Sequence, residues 1–191
     1  MSKQIFVVLI LLFAGLAMSA QTTEKKVGEI RSYYNDISEK ARLIETDSDQ
    51  GEIGELVMNE LVINKRNHQW RAVGIYGQTY KFFYTGGDSE AHLYPDQLVL
   101  VRVGRKVSNR VYLEEYLYSK SGELIFCFQK SENDDQVPAE RRVYFSGIKA
   151  IRIAEDEKIR DRLTARDAPK VKEIFRQSRK IKEIFIRSIK L

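Results

Sequence analysis

Between residues 55 and 153 the chain is rich in Val, Ile, Tyr and Phe, and its turn residues come so often that no helix fits between them. Strands near 55–64, 69–76, 79–85, 97–103, 109–119, 122–130, 140–146 and 148–153 are predicted. NKRN, YGQT, GRKVSN, SKSG and SENDDQVP are assigned to the turns and loops between them. Connections this short cannot carry crossover helices, so neighbouring strands must pair antiparallel as a meander of seven or eight strands. The hairpin at Ser121 and Gly122 is the clearest of these turns.

Both faces of this sheet carry large apolar side chains. Leu124, Phe126 and Phe128 are predicted on one face against Ile125 and Cys127 on the other, and Val111, Leu113 and Leu117 oppose Tyr112, Tyr116 and Tyr118. A strongly curved sheet or an open barrel, with helices over part of one face, satisfies that pattern. Helical periodicity supplies the cover. From residue 23 to 45, Val27, Ile30, Tyr34, Ile37, Ala41 and Ile44 recur every three or four positions, with Thr22 or Thr23 as N-cap.

The tail, 155–190, opens with AEDEKIRDRLTARD, expected to be a first helical piece; Pro169 is expected to start a second as its N1 residue. There Val171, Ile174, Phe175, Ser178, Ile181, Phe185 and Ser188 fall at helical spacing. The fold class expected is therefore α+β: N-terminal amphipathic helix, curved antiparallel meander, C-terminal amphipathic helices.

Residues 1–20 read as a secretory signal peptide: Lys3, an apolar Ile5 to Leu16 run, then Ala17, Met18, Ser19 and Ala20 before polar Gln21. The expectation is a single exported domain, 21–191, secreted or periplasmic after cleavage near Ala20. With 43% hydrophobic residues, 31% charged residues and 3 Pro, the chain has the composition of a globular domain. Cys127 is its one cysteine, so no internal disulfide can hold the fold and burial must do so.

The common catalytic signatures are absent: no H-E-x-x-H, G-x-S-x-G or C-x-x-C occurs, and no Gly-rich phosphate loop stands between a strand and a helix. His68 falls in a turn and His92 in a Gly-rich loop, and Cys127, between Phe126 and Phe128, reads as a buried structural thiol. DSDQGE at 47–52 begins like an EF-hand loop but has Gly51 where an acidic ligand is needed, and Glu132, Asp134 and Asp135 lack motif spacing. No cofactor or metal is expected. A hydrolase with a non-local site would have His68, His92 and loop carboxylates as its acid/base stock.

Two features point to binding. Trp70, Tyr76, Tyr80, Tyr84, Tyr112, Tyr116 and Tyr118 cluster on adjacent strands and, if their faces coincide, make an amphipathic floor for a sugar or peptide, unless a helix covers it. The other is charge. Without Lys3 the net is +4, of which residues 166–191 hold +6, leaving 21–165 at −2. Lys172, Arg176, Arg179, Lys180, Lys182 and Arg187 could dock the tail helix on an anionic membrane, although its Ile and Phe positions suit packing on the sheet better. The segments RVYLEEYLYSKSGELIFCFQK and RRVYFSGIKAIRI are similar in style to the Tyr-rich hairpins of small exported bacterial proteins, a likeness that transfers no activity. The function expected is a non-enzymatic binding or interaction domain of the bacterial envelope or exterior, its partner a glycan, a peptide or an envelope protein, with no nucleic acid.

Overall fold

A computed structural model describes residues 3–46, 52–53, 56–71, 74–86 and 95–189. The first helix, α1 (Lys3–Thr46), is continuous through the positions expected to cap it, because nothing between Ile5 and Thr23 interrupts a helix strongly. Its predicted stripe faces inward: Val27, Ile30, Ile37, Ala41 and Ile44 are buried and Tyr34 is half-buried. At its end Thr46 Oγ1 donates back to the carbonyl oxygens of Arg42 and Leu43, at 3.0 and 3.1 Å. Residues 47–51, which hold most of the EF-hand-like string, lie outside the described residues.

Seven long strands form the meander: β2 (Leu56–Ile63), β4 (Gly74–Gly86), β5 (Pro95–Val107), β6 (Arg110–Tyr118), β7 (Leu124–Glu132), β8 (Glu140–Ser146) and β9 (Lys149–Glu155). Three short ones extend it: β1 (Glu52–Ile53) on β2, β3 (Gln69–Trp70) on β4, and β10 (Lys158–Arg160) on β9. All pairings are antiparallel, and the sheet is open, with β1 and β10 at its edges. The hairpin at Ser121 and Gly122 forms as predicted. Gly122 takes φ +77°, its N–H donates to Ser119 O at 2.8 Å, and Ser119 N–H donates to Glu123 O at 2.8 Å.

Two expected turns are strand instead. YGQT, 76–79, lies inside β4, and β5 runs through GRKV so that its hairpin turns only at Ser108 and Asn109, with Ser108 at φ +56°. Glycine in a strand costs stability but does not end it when both neighbours pair; Gly77 pairs with Lys106 and Gly104 with Thr79. The predicted face pattern also breaks at one place. A bulge between Leu117 and Tyr118 leaves Ile125 as the extra residue of β7, so Leu124 packs with Cys127 and not with Phe126.

The helices do not share a face. Helix α1 covers Phe83, Val99, Leu100, Leu117, Phe126 and Tyr144, and α2 (Ala168–Ile189) covers the opposite side, Phe82, Val101, Tyr116, Tyr118, Cys127 and Phe145. With large apolar side chains alternating to both sides, each face needs its own helix. The expected first helical piece of the tail is absent: its residues form β10, a turn, and the Asp167 that begins α2, whose carbonyl accepts the first helical bond from Val171 N at 3.0 Å. Ala168 is then N1 and Pro169 N2, where a missing N–H costs nothing.

Ionic clusters fix each helix. On the α1 face, Arg102 bridges Glu45 and Glu115, both at 2.7 Å, and donates to Ser38 Oγ at 2.7 Å; Tyr34 also donates to Glu115. At the start of α2, Glu155 accepts from Arg141, Arg160 and Lys170, and Asp167 from Arg160 and from Thr164 N and Oγ1. Burial would raise the Glu155 carboxyl, but the three cations outweigh it and hold it at about 2. The Thr164 backbone N–H, then its hydroxyl and Arg160, bring Asp167 to about 2 against its burial.

Folded values below the unfolded ones mean stabilisation that is complete above a pH of about 5 and is lost as pH falls through the folded values. The melting temperature should therefore be flat from neutrality to a pH of about 5 and fall steadily toward a pH of about 2, and Glu155→Gln should flatten that fall. Melting curves at stepped pH check this; an unchanged acid slope in Glu155→Gln would remove Glu155 from the account.

Candidate functional site

The tyrosine groups do share one face. Tyr76, Gln78, Tyr80, Phe82 and Tyr84 alternate along β4 toward α2, and Tyr112, Glu114, Tyr116 and Tyr118 do so along β6. Trp70 stands opposite Gly74 at the margin, and its side chain lies outside what is described.

Most of this floor lies under α2. Tyr116 and Tyr118 have no exposed surface, and Tyr80 and Tyr84 keep 8% and 7%. Phe185 packs on Phe82 and Tyr84 with ring centroids 5.4 and 5.3 Å apart, and the Tyr118 hydroxyl meets Ser178 Oγ at 3.1 Å. Lys182 lies 4.6 Å over the Tyr118 ring and donates to Gly122 O. The covered rings are core; a ligand could reach them only if α2 left.

Beside α2 the floor opens. Two cavities of about 310 and 150 Å³ share Arg105 and Glu114 and together form one groove. The larger is lined by Tyr76, Gln78 and Tyr80 from β4 and by Gln177, Lys180 and Ile184 from α2; the smaller adds Tyr112, Gln129 and Arg141. A hydrogen-bond chain runs along β4, with Tyr76 donating to Gln78 Oε1 at 2.5 Å and Gln78 Nε2 donating to Tyr80 at 2.7 Å. Tyr112 donates to Asp134 at 2.6 Å, which raises the pKa of its hydroxyl. Burial raises the Tyr116 hydroxyl far more, so it stays protonated and donates to Glu114 Oε2 at 2.5 Å.

Neither charged residue common to both cavities has an ion-pair partner in contact among the described residues, although Arg105 acts through space on Asp134. Arg105 lays its guanidinium 4.3 Å over the Tyr112 ring and, among the described residues, makes no ion pair or hydrogen bond; Glu114 has Tyr116 as its sole such partner. The other lining cations differ: Arg141 holds Glu155 and Gln129, and Lys130 holds Glu132. A cavity on the α1 side, about 410 Å³, also differs, because Arg31 is bonded to Tyr144, Tyr34 to Glu115 and Arg142 to Glu140.

Five of the tail's basic residues, Lys172, Arg176, Arg179, Lys180 and Arg187, are exposed and fall within about 100° of one another around α2. Arg176 pairs with Glu173, Lys180 also lines the groove, and Lys182 is drawn away into the Gly122 hairpin. His68 is exposed in the turn before β3, tied through its backbone to Asn64, and His92 lies outside the described residues. Cys127 is fully buried, and burial raises its thiol pKa well above the ordinary value. Among the described residues no group of His, Cys, Asp or Glu could hold a metal ion.

Sequence reasoning missed Gln78, Arg105 and Glu114. Arg105 and Gln78 were hidden by the turn assignment of GRKVSN and YGQT, although the alternation Tyr76, Gln78, Tyr80, Phe82, Tyr84 is visible through Gly77. The chain matches no protein-family model, no curated protein and no solved structure.

Proposed function

We propose that this is an exported, non-enzymatic binding domain of the bacterial envelope or exterior, and that its ligand sits in the groove beside α2. The observation that carries the reading is the pair Arg105 and Glu114, two charges without a contact ion pair among the described residues, lining one groove over a tyrosine floor. Both side chains are half-buried, so a ligand that bonds them displaces less water than at a fully exposed site and gains more from each charge-assisted bond. Glycans and extended polar peptides are the ligand classes this lining suits, and the membrane-docking reading of α2 is weaker because its apolar stripe, Ile174, Ser178, Ile181 and Phe185, is buried against the sheet.

Cleavage after Ala20 would retain the buried α1 residues among those described, Val27, Ile30, Ile37, Ala41 and Ile44. N-terminal sequencing of protein recovered from cells should read from Gln21; Met1 on most of the pool would contradict export. For the groove, glycan and peptide arrays probed with the parent and with Arg105→Gln should give ligands that the variant binds about tenfold more weakly, the effect of losing one charge-assisted hydrogen bond. Equal binding by both proteins would contradict the site.

A further inference from the structure

The ligand class follows from how the two charges are held apart, and it rests on the reading that the groove is a ligand site. Arg105 stands opposite Tyr112 and Glu114 opposite Val103, so they are diagonal neighbours on one face, within reach of each other for side chains this long. They do not pair. Tyr112 holds the guanidinium on its ring at 4.3 Å, and the Tyr116 hydroxyl holds Glu114 Oε2 at 2.5 Å. Each tyrosine restrains one charge, and a gap with donors on one side and an acceptor on the other remains between them.

From the helix side the exposed Lys180 lines the same groove; it acts through space on Glu173 and makes no contact ion pair or hydrogen bond among the described residues. The groups left open are therefore two cations and one carboxylate. A ligand that satisfies them carries a negative charge for Arg105 and Lys180 and an O–H or N–H donor for Glu114. A simple anion would set its charge against Glu114, and a neutral ligand would leave the surplus cation unused.

One mode of peptide binding, adding a strand to a free sheet edge, is closed here, because β4, β5 and β6 are each paired on both sides and offer a main chain no ladder. The floor presents side-chain amides instead: Gln129 keeps its Nε2 and Gln177 its Oε1 beyond their bonds to Arg141 and Glu173, and a donor and an acceptor of this kind match hydroxyls projecting around a sugar ring. We infer that the groove binds an acidic glycan, a uronate-type carboxylate lying against Arg105 and Lys180 while a neighbouring hydroxyl donates to Glu114.

Calorimetry on the full chain with hexamers of galacturonic and mannuronic acid, their methyl esters, and hexaglutamate tests this. At least one uronate hexamer should bind, with its methyl ester, Arg105→Gln and Lys180→Gln each weakening binding by about tenfold. Glu114→Gln decides the chemistry by its sign: it should weaken the uronate severalfold by removing the acceptor, whereas for an anion recognised by charge alone it would tighten binding by removing a like charge. Circular dichroism of the three variants keeps loss of fold apart from loss of binding.

Failure of both uronates to bind, tighter uronate binding by Glu114→Gln, or hexaglutamate bound as well as the uronate would each overturn the inference. If one of those results came with binding of another probe that Arg105→Gln weakens, the groove would stand as a ligand site for a different chemistry. Uronate binding indifferent to both Arg105→Gln and Lys180→Gln would overturn the groove itself.

Discussion

Replacing Arg102 by Met should destabilise the domain by about 3–5 kcal/mol, the cost of removing one partner from a buried ion pair. Arg102 sits between Glu45 and Glu115, which keep 19% and 6% of their side-chain surface, and it is the cation both carboxylates approach at 2.7 Å. Without it, Glu115 keeps, among the described residues, only the Tyr34 hydroxyl, whose own pKa is raised by burial and then by Glu115, and Glu45 keeps Lys81 at 3.1 Å. A loss of that size lowers the melting temperature of a chain this long by about 6–20 °C. Adding Glu115→Gln to Arg102→Met should recover part of it, because the stranded charge is gone. A single-variant shift under about 2 °C would mean the cluster is solvated and α1 is held by its apolar stripe alone.

Phe185→Ala carries the other large effect, about 3–5 kcal/mol, the usual range for truncating a buried aromatic ring. Phe185 keeps 5% of its surface and packs on both Phe82 and Tyr84, so its loss opens a cavity between α2 and the tyrosine floor. Phe175, on the same stripe, is partly exposed and meets the ring of Phe145 at 5.0 Å from one side, so Phe175→Ala should cost less. Charge reversal at Arg179, which is exposed, should leave melting unchanged. Melting curves of the three variants check the order; equal and small effects would mean α2 is not a packed element.

The meander and its two amphipathic helices were legible because periodicity is a local signal: the stripes of α1 and α2 and the β-rich run each show in a short window. Which face each helix takes was not, since the stripe at Val27, Ile30 and Ile37 would fit either apolar side of the sheet, and only tertiary packing assigns it to Phe83 and Leu100. The parity of Leu124 was likewise hidden by a bulge at Ile125 that no residue type announces. AEDEKIRDRLTARD looked helical by charge, yet Glu155 and Asp156 bond to Arg141 and Glu140 on β8, and those contacts select strand and turn.

The site divides the same way. Alternation grouped its tyrosines strand by strand, because that signal concerns neighbours along a strand, and left open whether the groups share a face. Arg105 and Glu114 come together across strands, and Gly77 and Gly104, which resemble turn punctuation, pair within β4 and β5 and so carry Gln78 and Arg105 into the floor. Glycine punctuates a chain only where the backbone is free to turn, and a paired strand removes that freedom.

The measurement that tests the central claim most directly is amide chemical-shift mapping with the tightest ligand from the arrays. If the ligand sits in the groove beside α2, the largest shifts fall at Gln78, Arg105, Tyr112, Glu114, Gln177 and Lys180 and are lost in Arg105→Gln. Shifts centred on Arg31, Asn35 and Arg142, across the sheet under α1, would contradict it.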